Sequence, residues 1–201
     1  MEHLHDEAPQ WVTGGVAGIA IGTVAIEPRR ITFLVGSAVE MLRKLEYEVS
    51  IFNHAHHANP PDITGIVYAA LNVALAGQAM YDWVKADIQT RDGTAFDRAA
   101  FDENVGKRLG PYHEMCRQMA NTLKHASYRG NPLGDGRVKM DYLPGDEHIS
   151  PLAVLLLDAG DGNWIDALSW TGLIASGWRL FLMDGGLLSD PANDVVSENF
   201  R

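Results

Sequence analysis

From Ile31 to about His57, the apolar residues Ile31, Leu34, Val35, Ala38, Leu42, Leu45, Val49 and Phe52 recur at three and four, while Glu40, Arg43, Lys44, Glu46 and Ser50 take other faces. That spacing predicts an amphipathic helix, ended by Pro60 and Pro61. Asp62 is placed to cap a second helix from Ile63 to about Thr90. Its first half is apolar nearly all round, as in a helix central to a bundle, and a later stripe of Gln78, Asp82, Lys85 and Gln89 is expected to face water. Thr94 and Asp97 stand in capping-box spacing before Phe101, Val105 and Leu109, which predicts a shorter helix stopped by Gly110. Pro111 then suits the first turn of a further helix reaching about Tyr128.

The period changes after the loop NPLGDG. In RVKMDYL the residues alternate, with Val138, Met140 and Tyr142 on one side and Lys139 and Asp141 on the other, which predicts a strand. PLAVLLLD, AGDGN and WID read as a hairpin, and ALSWTGLIASGWRLFLM as a closing helix that presents Trp170, Ile174, Phe181 and Leu182 before Gly185 and Gly186. The expected fold is mainly α: a four-to-five-helix bundle with a small antiparallel β-sheet before the last helix. Residues 1–28 form a glycine-rich segment with enough Val and Ile for short strands, residues 29–188 a single helical domain with the inserted hairpin sheet, and residues 189–201 a polar tail expected to be flexible.

Composition narrows the function. With 201 residues, 46% of them hydrophobic, the chain can bury one sizeable core. Its net charge of -10 opposes generic adhesion to nucleic acid or anionic membranes, so any anion site must be local. The single cysteine, Cys116, excludes an internal disulfide and fits a reducing compartment. The acidic start MEHLHDEAPQ lacks the basic residues of a secretory leader, and glycines interrupt the apolar run after it. A cytoplasmic protein with no membrane span is the expectation.

Charge is not spread evenly. Between Lys107 and Lys139 there are seven Lys or Arg against two acids, a local balance of +5 that leaves -15 elsewhere. On the helix from Tyr112 to Tyr128, Tyr112, Met115, Cys116, Met119, Leu123 and Ala126 share one face, and Arg117, Asn121, Lys124, His125 and Tyr128 fall opposite. One reading is the solvated side of a surface helix, with Glu114 and Arg117 as an exposed pair. The other is a contact for a phosphate-bearing ligand, with Arg129 continuing the basic surface.

The combination of AMYDWV on one long helix, RQMANTLKH on a later one, a short strand, a hairpin with a glycine turn and a tryptophan-bearing last helix resembles a group of uncharacterised bacterial and phage-associated helical proteins. That group is similar in turn to the HEPN superfamily. The resemblance covers roughly residues 31–187. It implies a helical bundle, frequently dimeric, in toxin, defence and RNA-processing settings, whose active members are metal-independent ribonucleases with an arginine and a histidine converging across a dimer. Carried onto this chain, it makes His125 the acid or base and Arg117 the charge stabiliser, with Asn121, Lys124, Tyr128 and Arg129 as ligand contacts. The spacing from Arg117 to His125 departs from the superfamily pattern. It turns the two about 80° apart and about 12 Å along one helix, so a second subunit would have to supply the partner.

Other features point to structure. His56 continues the buried stripe after Phe52 while His57 lies on an adjoining face, so HAHH is not an i, i+4 metal pair, and histidine suits a helix carboxyl end. DAGDGN lacks the acids of a calcium loop and reads as a turn. Cys116 falls on an apolar face as a packing residue, Asp82 reads as a surface acid paired with Lys85, and Trp83 as a core aromatic. No G-x-G-x-x-G is present, and neither metal nor cofactor is expected.

Overall fold

The computed structural model describes residues 35–124, 137–144, 152–158 and 162–189, with the backbone alone for Lys124, Arg137 and Leu143. It comprises α1 (Ala38–His56), α2 (Ile63–Asp92), a 3-10 turn (Gly93–Ala95), α3 (Arg98–Lys124), β1 (Arg137–Leu143), β2 (Leu152–Asp158), β3 (Trp164–Asp166) and α4 (Ala167–Asp184). The chain is mainly helical, with a small antiparallel sheet before the last helix, as its periodicity predicts. The glycine-rich segment 1–28 and nearly all of the tail 189–201 lie outside the described residues.

Two helix starts differ from expectation. The first helix begins at Ala38 because Ser37 and Glu40 form a capping box: Glu40 N–H donates to Ser37 Oγ at 3.2 Å, and the Glu40 carboxylate accepts from Gly36 N–H. A side chain from α2 adds to it, since Ala38 N–H donates to Asp87 Oδ2 at 2.7 Å. At α3 the cap is Asp97 alone, whose Oδ1 accepts from Ala99 and Ala100 N–H; Thr94 belongs to the 3-10 turn. Asp62 caps α2 as predicted, accepting from Gly65 N–H at 2.8 Å.

α2 is the centre of the bundle. Ile66, Ala70, Val73, Ala74, Met80 and Val84 are buried along it, against α1 on one side and α3 and α4 on the others. This placement explains why α2, alone among the described helices, is long and apolar enough to cross a membrane by composition. Small residues set the helix spacing. A Cβ on Gly77 would lie 2.7 Å from Cys116 Sγ, and one on Gly177 would lie 2.6 Å from Leu109 Cδ2, so α2 and α4 each approach α3 through a glycine. Trp170 and Trp178 are wholly buried on α4, each contributing about 1.5–3 kcal/mol or more of hydrophobic stabilisation. The Trp170 indole N–H donates to the Tyr112 carbonyl at 3.2 Å.

The sheet has the order β1-β2-β3, antiparallel throughout. Ala153, Leu155 and Leu157 of β2 are buried, and the register sets Tyr142, Met140 and Val138 of β1 opposite them. β2 and β3 form the predicted hairpin, and Asp158 Oδ1 accepts from Gly162 N–H at its turn. β3 runs directly into α4, which Asp166 caps through Ser169 N–H at 2.8 Å. Burial pushes the Asp166 carboxyl up, but the hydrogen bonds from Ser169 and the first α4 amides outweigh it and hold it below the usual carboxylate range. Arg179 of α4 clasps Glu46 of α1.

Candidate functional site

Gly110 breaks α3 at φ 45° and ψ -133°, a conformation that a side chain would strain. Pro111 opens the second half, where its missing N–H costs nothing. Beside this break a cleft of about 490 Å³ lies between α2 and α3. Gln78 and Tyr81 of α2 line it with Asp102, His113, Glu114 and Arg117 of α3. Gly106 and Gly110 leave its wall open, since a Cβ at either would meet nothing within 4 Å.

The cleft groups are coupled. Tyr81 hydroxyl donates to Asp102 Oδ1 at 2.5 Å, and burial, then the Asp102 carboxylate, pushes the phenol above its usual range, so Tyr81 stays protonated. The His113 ring stacks on Tyr81 at 5.6 Å and 17°, and meets Trp178 edge to face at 5.6 Å. Desolvation, assisted by Arg117 and opposed by Glu114 and Asp82, pushes the imidazole below 6.5 and keeps it neutral at pH 7. Its buried Nδ1 has no partner, and neither does the buried Gln78 Oε1. Such orphaned atoms cost about 1–3 kcal/mol each. Glu114 accepts from Arg117 Nε at 2.7 Å and also from Gln118, and the Arg117 bonds first of all hold its carboxyl low.

Of the residues singled out in the sequence, Arg117 stands at the lip of this cleft and Asn121, one turn further along α3, is half-buried. The backbone of Lys124 ends α3; His125, Tyr128 and Arg129 lie outside the described residues. What the fold gathers around Arg117 is therefore His113, Glu114, Tyr81, Asp102 and Gln78. The sequence places Gln78 on a water-facing stripe and Glu114 in an exposed pair with Arg117, and it gives Tyr81, Asp102 and His113 no role in a site; only the Tyr81 of AMYDWV and the His113 beside the Gly110–Pro111 break carry a local signal.

Four of the seven basic residues counted along the chain are met by carboxylates in space, and the side chains of Lys124, Arg129 and Arg137 lie outside the described residues. Lys107 pairs with Glu103 at 2.5 Å, Arg108 with Asp184, Arg117 with Glu114, and Lys139 with Asp141 at 3.1 Å. Glu103, Asp141 and Asp184 come from outside the stretch between Lys107 and Lys139, which is why a linear tally overstates the field. Lys85 does not pair with Asp82 as expected; its ammonium lies 5.8 Å from the Tyr81 ring centroid. Leu123 also departs from its apolar face and is 45% exposed.

Cys116 is fully buried, and desolvation raises its thiol far out of the reactive range, in keeping with a packing role. His56 is buried against Phe52, while His57 is exposed and its Nδ1 sits 2.7 Å from the Asn53 carbonyl. Among the described residues no three His, Cys, Asp or Glu side chains converge as metal ligands would. A second hollow of about 330 Å³ lies near the ends of α2 and α4, where Arg91 bonds Asp92 and the Gly185 carbonyl and Arg108 pairs with Asp184. Its polar groups serve the fold, whereas the α2–α3 cleft retains an imidazole with an unpartnered nitrogen. No family model, curated protein or solved structure matches the chain.

Proposed function

We propose that this chain contacts RNA or a nucleotide through the second half of α3, with Arg117 engaging a phosphate and Asn121 meeting the ligand beside it. The observation that carries this reading is the seat of Arg117 at the edge of a ligand-sized cleft next to a neutral, half-buried imidazole. Glu114 holds the guanidinium plane through two of its nitrogens. The HEPN resemblance supplies an enzymatic form: a metal-independent ribonuclease of a toxin or defence setting, in a cytoplasmic homodimer. His125 then acts as acid or base and Arg117 of a second subunit as charge stabiliser, with Lys124, Tyr128 and Arg129 extending the contact.

A second reading has its own support. The pairing of Lys107, Arg108 and Lys139 with carboxylates leaves the mean field of a -10 chain repulsive to phosphate, which favours a non-enzymatic structural or interaction homodimer. Titrating a fluorescent RNA oligonucleotide and ATP into wild type, Arg117→Ala and His125→Ala, with and without chelator, separates the two. The ligand reading expects binding that falls steeply with salt and is weakened at least about tenfold in Arg117→Ala. Its enzymatic form expects cleavage that survives chelator and disappears in His125→Ala. Absence of binding by wild type at roughly 50 mM salt removes the ligand reading and leaves the second.

A further inference from the structure

Strand β1 pairs only with β2 among the described residues, none of which occupies its outer edge. Val138 and Tyr142 stand in register with buried Leu157 and Ala153 on the inward face of the sheet, yet they are 51% and 54% exposed. The helical layer therefore stops short of β1. On the other face the Lys139 and Asp141 side chains are also about half exposed, with the Lys139 ammonium 5.0 Å from the Trp164 ring centroid. An open edge with half-covered apolar side chains is a template for another strand.

The five central residues of β1, Val138 to Tyr142, match themselves in character when reversed. In an antiparallel pair with a second β1 centred on Met140, Val138 meets Tyr142 of the other copy, Lys139 meets Asp141, and Asp141 meets Lys139. Val138 and Tyr142 each gain an apolar neighbour on the inward face, and Lys139 and Asp141 each gain an opposite charge on the outer face, while Arg137 and Leu143 stand in register at the ends. Neighbouring registers that keep the faces aligned fail this match. A slip of two residues one way sets Lys139 against its own copy, and a slip the other way sets Asp141 against its own. Such a pairing is isologous and closes as a two-fold dimer.

We infer that β1 is a self-pairing edge, through which two copies of this chain join their three-stranded sheets into one six-stranded antiparallel sheet across a two-fold axis at Met140. This deepens the homodimer reading and is independent of the ligand reading. The test uses the full chain in sedimentation and light-scattering measurements of mass. Asp141→Lys sets lysine against Lys139 of the other copy, and Lys139→Asp sets aspartate against Asp141. Each reversal is expected to raise the dimer dissociation constant at least about tenfold, because two attractive cross-strand pairs become two repulsive ones.

The double swap Lys139→Asp with Asp141→Lys restores the match within one chain and should dimerise like wild type. An equimolar mixture of the two single variants should form a heterodimer, since every cross-strand pair is again opposite in sign. That rescue distinguishes pairing from misfolding, and circular dichroism of each variant checks the fold directly. A dimer unmoved by either reversal places the contact elsewhere; it overturns the edge pairing while the homodimer reading stands. Reversals that dissociate the dimer without rescue on mixing also overturn it. A wild-type chain that stays monomeric at roughly tens of micromolar overturns both, whatever else covers the edge.

Discussion

The two halves of α3, joined at Gly110, solve the same problem in different ways. Before the break, Phe101, Val105 and Leu109 bury one stripe, and part of the polar side is settled locally by Arg98 with Asp102 and by Lys107 with Glu103, all exposed at i, i+4 spacing, while Asp102 also accepts from Tyr81 and Arg108 reaches Asp184. After it, Met115, Cys116 and Met119 bury a similar stripe, but His113 is drawn inward with an unpartnered nitrogen. The first half is an ordinary surface helix. The second carries a buried ring nitrogen without a partner, a polar cost that it shares with His56 and Trp178 elsewhere in the fold.

If the halves share one core and differ only in their polar sides, Trp178→Ala and Phe101→Ala should each cost about 3–5 kcal/mol in urea melts. Trp178 touches His113 of the second half and Phe101 belongs to the first, so a loss under about 1 kcal/mol at either would break the shared core. Gly77→Ala comes next, at about 1–3 kcal/mol, because its Cβ overlaps Cys116 Sγ of the second half. Gly106→Ala should do the opposite in the first half. Its Cβ meets open space, so the fold gains about 0.5–1 kcal/mol while the cleft narrows, and RNA or ATP binding measured on the same sample should weaken.

A pH profile sharpens the contrast further, since His113 is the only histidine of α3. Its folded pKa is lowered from 6.5, so the unfolded chain takes up a proton that the folded chain refuses. Stability is full above that value and declines as the pH falls beneath it, toward the lowered folded pKa. Burial lowers His56 in the same direction, so the readout is the difference between wild type and His113→Phe, whose acid slope should be shallower. The smallest effect belongs to the first half: Lys107→Ala should change stability by no more than about 0.5 kcal/mol, the pair with Glu103 being largely solvated.

Local signals were legible in the sequence. The helix order, the Asp62 and Asp166 starts, the Gly110–Pro111 break and the three strands follow from periodicity and short-range chemistry. The start of α1 was misplaced although SAVE, Ser37 to Glu40, is a readable capping box, because Ile31, Leu34 and Val35 keep the apolar phase before it. Asp87 at the Ala38 amide had no local trace. The cleft was least legible: Arg117 could be marked on a polar face, but the bond of Tyr81 to Asp102 and the Tyr81–His113–Trp178 stack are tertiary facts joining three helices. Charge shows the same limit, since Asp184 neutralises Arg108 from the far end of the chain.

The anchoring of α1 and α4 on the last turns of α2 has a consequence for how this molecule can be handled. Asp87 receives the Ala38 amide and Arg91, one turn later, binds the Gly185 carbonyl, so the described backbone enters and leaves the bundle at a single pole. The sheet sits at the opposite pole, where β3 feeds the start of α4. A label attached at Gly36 or Leu188 therefore stands about one helix length, about 27 Å, from the strand that feeds α4.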